Sequence, residues 1–129
     1  MNSPVKTLDP VTVELIKGAL QSARSEMEAL IDRTSMSPFI REKKDYFTAF
    51  FDRQGRLISG TRVPLAGNLI DCILEQYPQD DMRDGDLYIY NDPYWSKGAV
   101  SHLPDMVFVA PVFSRSELMG FAEAWGHLW

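Results

Sequence analysis

Apolar side chains recur at two different periods along this chain, and the switch between them separates a helical N-terminal segment from an extended remainder. Val13, Ile16, Leu20, Ala23, Met27, Leu30 and Thr34 step by alternating threes and fours, the spacing that keeps side chains on one helix face. Leu15, Ala19 and Ile31 widen that stripe. The pattern predicts a long helix with one face buried along about six turns. Asp9-Pro10 opens it, because an Asp N-cap accepts from the first free amides and Pro at the first helical position gives up nothing. Ser37-Pro38 closes it, since the residue before a proline is pushed out of helical geometry, and extended structure is expected from there.

From Asp45 the period becomes two. Phe47, Ala49 and Phe51 alternate with Tyr46, Thr48 and Phe50, and both sets are apolar enough to predict a strand covered on both faces. Asp52-Arg53-Gln54-Gly55 reads as a turn with Gly last, and Leu57-Ile58 as the returning strand of a first hairpin. A second, shorter helix is expected from Gly67 to Tyr77, ended by Pro78. A polar loop from Gln79 to Asp86 then leads to the strand Leu87-Tyr88-Ile89-Tyr90. Asn91-Asp92-Pro93-Tyr94 turns the chain, since Asn and Asp hydrogen-bond to their own backbone and Pro fixes φ. The loop Trp95–Ser101 is long enough to cover or line a site beside His102. Met106 to Phe113 and Leu118 to Trp125 form a second hairpin around the polar Ser114-Arg115-Ser116. The expected fold class is α+β: a long N-terminal helix and a short second helix packed on a mainly antiparallel sheet of hairpins.

Composition narrows the function. The chain has 129 residues, 45% of them hydrophobic, enough for one globular domain. Thirteen basic against eighteen acidic residues give a net charge of −5, and acids interrupt the one basic cluster, Arg41-Glu42-Lys43-Lys44-Asp45. That argues against nucleic-acid binding. No stretch approaches the roughly 18 apolar residues of a membrane span, nor does the N-terminus resemble a signal peptide, so a cytoplasmic protein is expected. Cys72, the only cysteine, sits among Leu69, Ile70, Ile73 and Leu74 and reads as a buried thiol. Gly55 and Gly60 have the outer spacing of a phosphate loop, but Thr61-Arg62 stands where Lys-Ser/Thr is needed.

The chemistry lies in the two histidines. His102 opens His102-Leu103-Pro104-Asp105, and His127 lies near the end of the last strand. With the second hairpin centred on Arg115, cross-strand partners have numbers summing to about 230, which sets Asp105 opposite Trp125 and makes His127 its diagonal neighbour. Two imidazoles and one carboxylate with positions left open suit a catalytic divalent metal, either Mn²⁺ or Zn²⁺. The bland alternative is that both histidines are ordinary polar residues at strand ends. Imidazole ligands need neighbours that fix their tautomers, and Asp92, Ser101 and Glu123 are the candidates.

A series of short blocks then carries a family resemblance. Asp9-Pro10-Val11-Thr12, Arg33-Thr34 with Ser37-Pro38, Phe51-Asp52 with Gly55-Arg56-Leu57, Gly85-Asp86, Asn91-Asp92-Pro93-Tyr94, His102-Leu103-Pro104-Asp105, Pro111-Val112-Phe113 and Gly126-His127 occur in one order. Together they resemble the hydantoinase B/oxoprolinase family over essentially the whole chain. That family includes B-type subunits of ATP-dependent N-methylhydantoinases, the C-terminal half of 5-oxoprolinases, and subunits of acetone and acetophenone carboxylases. The resemblance implies a divalent metal on His102, Asp105 and His127, manganese in the acetone enzyme. It also implies a small-molecule substrate, and ATP handled by a hydantoinase A-type ATPase subunit in a hetero-oligomer.

Departures from the family pattern matter too. Relatives run on past this point, so residues 1–129 are expected to be a single N-terminal domain, truncated at its C-terminus and inactive alone. Around Pro64-Leu65-Ala66-Gly67 many relatives carry a histidine, replaced here by Leu65 or a neighbour. Trp95-Ser96-Lys97 stands where a small glycine-rich loop is usual. Cyclic-amide hydrolysis is the favoured activity; the alternatives are ATP-dependent ketone carboxylation and an inactive assembly domain.

Overall fold

The computed structural model describes residues 7–61 and 67–128. Helix α1 (Pro10–Thr34) is followed by the short α2 (Pro38–Lys43), strands β1 (Tyr46–Asp52) and β2 (Leu57–Gly60), and α3 (Asp71–Gln76). A single 3₁₀ turn at Gln79–Asp81 then leads to β3 (Tyr88–Tyr90), β4 (Asp105–Ser114) and β5 (Glu117–His127). The strands make one five-stranded sheet in the order β2-β1-β5-β4-β3, antiparallel at every pairing. The α+β expectation holds.

The sheet's two faces are covered by different chemistry. On one, Phe47, Ala49 and Phe51 of β1, Val107 and Val109 of β4 and Phe121 of β5 pack with Leu69, Ile70, Cys72, Ile73 and Met82 into the core. Strand β1 is covered on both faces as expected, with Phe47, Ala49 and Phe51 in this core and Tyr46 and Thr48 buried on the opposite side. The segment Ser96–Val100 joins that core rather than covering a site beside His102, with Ser96, Ala99 and Val100 buried and Lys97 paired to Glu75 at 2.6 Å.

On the other face α1 docks through polar groups. Glu28 Oε1 accepts from Thr48 Oγ1 at 3.2 Å and Thr61 Oγ1 at 2.9 Å. Arg24 Nη1 donates to Ser59 Oγ at 2.8 Å and to the Gly60 carbonyl at 2.9 Å. The predicted cap is present, with Asp9 accepting from the Thr12 amide at 3.2 Å. The predicted burial is not: no residue of α1 is buried, and Leu15, Ile16 and Leu30 are exposed. The helix meets β1, β2 and α2, and because the β1–β2 hairpin offers it the hydroxyls of Thr48, Ser59 and Thr61, its stripe is only partly covered, with Val13, Leu20, Ala23, Met27 and Ile31 half-buried.

Two further expectations change. Ser37-Pro38 does not lead into extended chain but starts α2, with Pro38 at the first helical position and Lys44 in the left-handed conformation (φ 55°) ending it. Proline excludes helix from the residue before it, not from those that follow. The helix expected from Gly67 is confined to Asp71–Gln76; Asn68 spends its side chain bridging the Gly55 carbonyl and the Ile70 amide instead.

Candidate metal centre

The β4–β5 hairpin sets the site. Its loop is the two-residue turn Arg115-Ser116, both at positive φ (50° and 68°), the combination whose twist matches the strands. A bulge then places Val112 opposite Gly120 while Phe113 faces Leu118, so Met119 is the extra residue. Turn and insertion together correct the expected register. Asp105 faces His127 directly, and Trp125 faces Val107. The turn shifts the register by one residue and the bulge by another, which changes which side chains share a rung, and because the total is two, Asp105 and His127 stay on one face.

His102 arrives from a tight turn. The Asp105 amide donates to the His102 carbonyl at 3.2 Å, and Asn91 Nδ2 donates to the Leu103 carbonyl at 2.8 Å, tying the turn to the end of β3. The Leu128 amide donates to the Pro104 carbonyl at 3.0 Å, so the turn and the end of β5 are stitched together. As a result one oxygen of Asp105 lies 3.0 Å from His127 Nδ1 and the other 3.1 Å from His102 Nδ1. The two imidazoles stand edge to face at 5.0 Å. One ligand-type atom from each of the three residues falls within 4.8 Å of the others, close to the span an ion with bonds of about 2.0–2.2 Å bridges. Access is one-sided: the side chain of His102 is 53% exposed, those of His127 and Asp105 15% and 9%.

Helix α2 holds the buried side, a contribution the sequence pattern missed because it pointed to extended chain there. Phe39 packs on the His127 ring at 4.7 Å. Ser37 Oγ donates to the His127 carbonyl at 2.8 Å, and the His127 amide donates to the Asp45 carbonyl at 3.0 Å. Gly126 makes this possible, since a Cβ there would meet Ile40 Cδ1 at 2.7 Å. The signal in the sequence was Pro38 itself, which starts a helix as readily as it stops one.

The three proposed tautomer-fixing residues are placed elsewhere. Asp92 Oδ1 accepts from the Tyr94 and Trp95 amides, a local turn role. Ser101 is exposed and has no hydrogen bond among the described residues. Glu123 lies on the same face but two rungs away, opposite Val109, fully buried with neither oxygen partnered among the described residues. Burial pushes its carboxyl well above the usual carboxylate range. Asp105 itself is the carboxylate that orients both rings. The Leu65 neighbourhood, where relatives were expected to carry a histidine, lies outside the described residues. Gly55 sits in the β1–β2 turn and Gly60 at the end of β2, a hairpin rather than a strand-to-helix phosphate loop. Among the described residues no helix is long and apolar enough to cross a membrane.

Similar proteins share this arrangement of elements. The chain is 32% identical over 128 residues to the beta chain of the caprolactamase of Pseudomonas jessenii. It is 33% identical over 135 residues to the B component of a putative D-/L-hydantoinase of Pseudomonas sp. (strain NS671). These matches take in 96% and 98% of the chain but 22% of each relative, so the chain spans less than a quarter of their length. The crystal structure of the ATP-dependent caprolactamase from Pseudomonas jessenii superimposes with a TM-score of 0.76 at 29% identity, over 95% of this chain and 21% of that one. A nucleotide-free acetone carboxylase shares the fold, with a TM-score of 0.73 at 14% identity, over 92% of this chain and 16% of that one. The family profile described as Hydantoinase B/oxoprolinase matches residues 9–129, and this chain belongs to that family.

Proposed function

We propose that this chain carries the metal-binding part of the catalytic subunit of an ATP-dependent cyclic amidase, with His102, Asp105 and His127 holding one divalent ion. The convergence of two imidazoles and one carboxylate on a single point supports this reading above all. The donor set fits Zn²⁺ or Mn²⁺, since borderline nitrogen ligands with one hard oxygen suit either ion and three protein ligands leave positions open. When bound, the ion supplies a Lewis acid that polarises a carbonyl oxygen.

The chain's own residues do the rest. Asp105 contributes a single negative charge, which leaves a divalent site net positive and attractive to a carbonyl oxygen or an oxyanion. Its two oxygens also hold the rings of His102 and His127 towards one point. Phe39 fixes His127 and keeps water from that side, where a lower local dielectric strengthens every charge interaction. His102, the exposed member, faces the side from which a small cyclic amide enters. The names of the relatives, a caprolactamase and a hydantoinase, support a lactam or hydantoin ring as that substrate.

ATP belongs to a partner in this reading, a hydantoinase A-type ATPase subunit in a hetero-oligomer, as the family resemblance implies, and this fits Gly55 and Gly60 lacking the lysine of a phosphate loop. The test is ATP turnover by the complex of the catalytic subunit with its ATPase. Turnover is expected to depend on a lactam, a hydantoin or 5-oxoproline and to be lost in a His102→Ala, His127→Ala double variant. Turnover that instead requires a ketone and bicarbonate would assign carboxylation, and full metal content in the double variant would end the metal assignment.

A further inference from the structure

Among the described residues strand β3 is an edge of the sheet. Tyr88, Ile89 and Tyr90 pair with Val109, Phe108 and Val107 on one side, and on the other no strand or backbone group among the described residues meets them. Proteins blunt such edges with short strands, charge, proline or a bulge. Of these β3 has only its three-residue length; Tyr-Ile-Tyr carries no charge, proline or bulge, and Leu87 and Ile89 are 55% and 53% exposed beside it.

A recess of about 920 Å³ opens along this edge. Its walls include the rings of Tyr77, Tyr88 and Trp95 and the carboxylates of Asp86 and Asp92, and its lining contains no lysine or arginine. Tyr77 and Tyr88 are paired at 4.9 Å, and Tyr90 and Trp95 at 5.2 Å. Asp86 uses one oxygen to accept from the Arg83 amide, and Asp92 uses one to accept from Tyr94 and Trp95. The second oxygen of each has no partner among the described residues. Burial and then the negative charge of Asp86 hold the Tyr88 hydroxyl proton more tightly than usual, consistent with a negative potential in the recess.

We propose that the outer edge of β3 accepts an extended segment of a partner polypeptide as a sixth strand, with an arginine or lysine of that segment seated among Tyr77, Tyr88, Trp95, Asp86 and Asp92. Free backbone groups supply the ladder and the recess supplies specificity, the division of labour of strand addition. Aromatic faces and carboxylates together favour an organic cation. Charge argues against a second copy of this chain as the occupant, since two such edges paired antiparallel bring the Asp86 and Asp92 carboxylates of both copies together. The proposal does not depend on the metal reading.

The test is heteronuclear NMR of the 129-residue chain titrated with acetyl-Thr-Val-Arg-Val-Thr-amide, with the same peptide carrying Gln for Arg, and with arginine amide. The arginine peptide is expected to shift the amides of residues 87–90 and to bind about tenfold more tightly than either control. Asp86→Asn is expected to abolish that preference while the spectrum of the core stays unchanged. Equal binding of the Gln peptide, or no shift at residues 87–90, overturns the proposal. Arginine amide binding as tightly as the peptide reduces the recess to a small-cation site and overturns strand addition. Concentration-dependent shifts of the same amides without any peptide make a second copy the occupant and equally overturn it.

Discussion

Asp105 and Glu123 sit on the same face of one hairpin, two rungs apart, and their surroundings give them opposite characters. Asp105 lies at the strand end with an imidazole nitrogen near each oxygen. Glu123 lies in mid-strand, next to Ala49 on β1 and Val109 on β4, with no exposure and no partner among the described residues. A carboxylate flanked by two imidazoles, one of them exposed, is equipped to hold a cation, whereas one enclosed by apolar neighbours avoids its cost by keeping its proton. Position within the sheet decides which, since only the strand end is reached by the His102 turn and by α2.

The largest expected effect breaks this contrast at Asp105. Asp105→Ala should weaken Zn²⁺ or Mn²⁺ binding by more than about 100-fold, as loss of a direct ligand must exceed the 10–100-fold of outer contacts. Glu123→Gln should leave the affinity unchanged. Calorimetric titration of both variants checks this, and an equal loss at Glu123 would erase the distinction.

Glu123→Gln should act instead on stability, with a sign fixed by its raised pKa. The unfolded chain ionises near the ordinary carboxylate value while the folded chain keeps its proton. The native protein therefore loses about 1.4 kcal/mol of stability per pH unit as pH rises from that value to the folded one. The amide has no such slope. The variant should match the parent in urea at about pH 4 and exceed it increasingly towards pH 7; parallel curves would show that Glu123 ionises freely in the fold.

Gly126→Val sharpens the role of α2 at the Asp105 end. The new side chain meets Ile40, and displacing α2 moves Phe39 off His127. A loss of roughly 1–3 kcal/mol in stability, accompanied by weaker metal binding, is expected. Undiminished metal affinity in a destabilised variant would mean that Phe39 only fills space. The smallest effect belongs to a third carboxylate, Asp9, which is exposed and caps α1. Asp9→Ala should cost about 1 kcal/mol or less in thermal unfolding and nothing in metal binding.

Local chemistry was enough to determine most of the elements. Asp9-Pro10 marked the start of α1, the apolar alternation of residues 45–51 a doubly covered strand, and the paired apolar runs the β4–β5 hairpin with Asp105 and His127 on one face. Those signals arise within a few residues of chain, where capping, side-chain period and turn chemistry act. The family blocks, each short but held in order, likewise needed no coordinates.

The tertiary structure decided what the elements meet. The helical stripe of α1 looked destined for burial, but the strands beneath it present Thr48, Ser59 and Thr61, so polar contacts hold it. Pro38 looked like an end and became a beginning, because Gly126 leaves room for Ile40 and α2 can pack against β5. The exact rung of Asp105 and His127 depended on the turn Arg115-Ser116 and the bulge at Met119 together, and the isolation of Glu123 on strands remote in sequence. Apart from the hairpin's own turn and bulge, each of these is a long-range contact, and a hydrophobic pattern records which side chains seek cover but not which surface provides it.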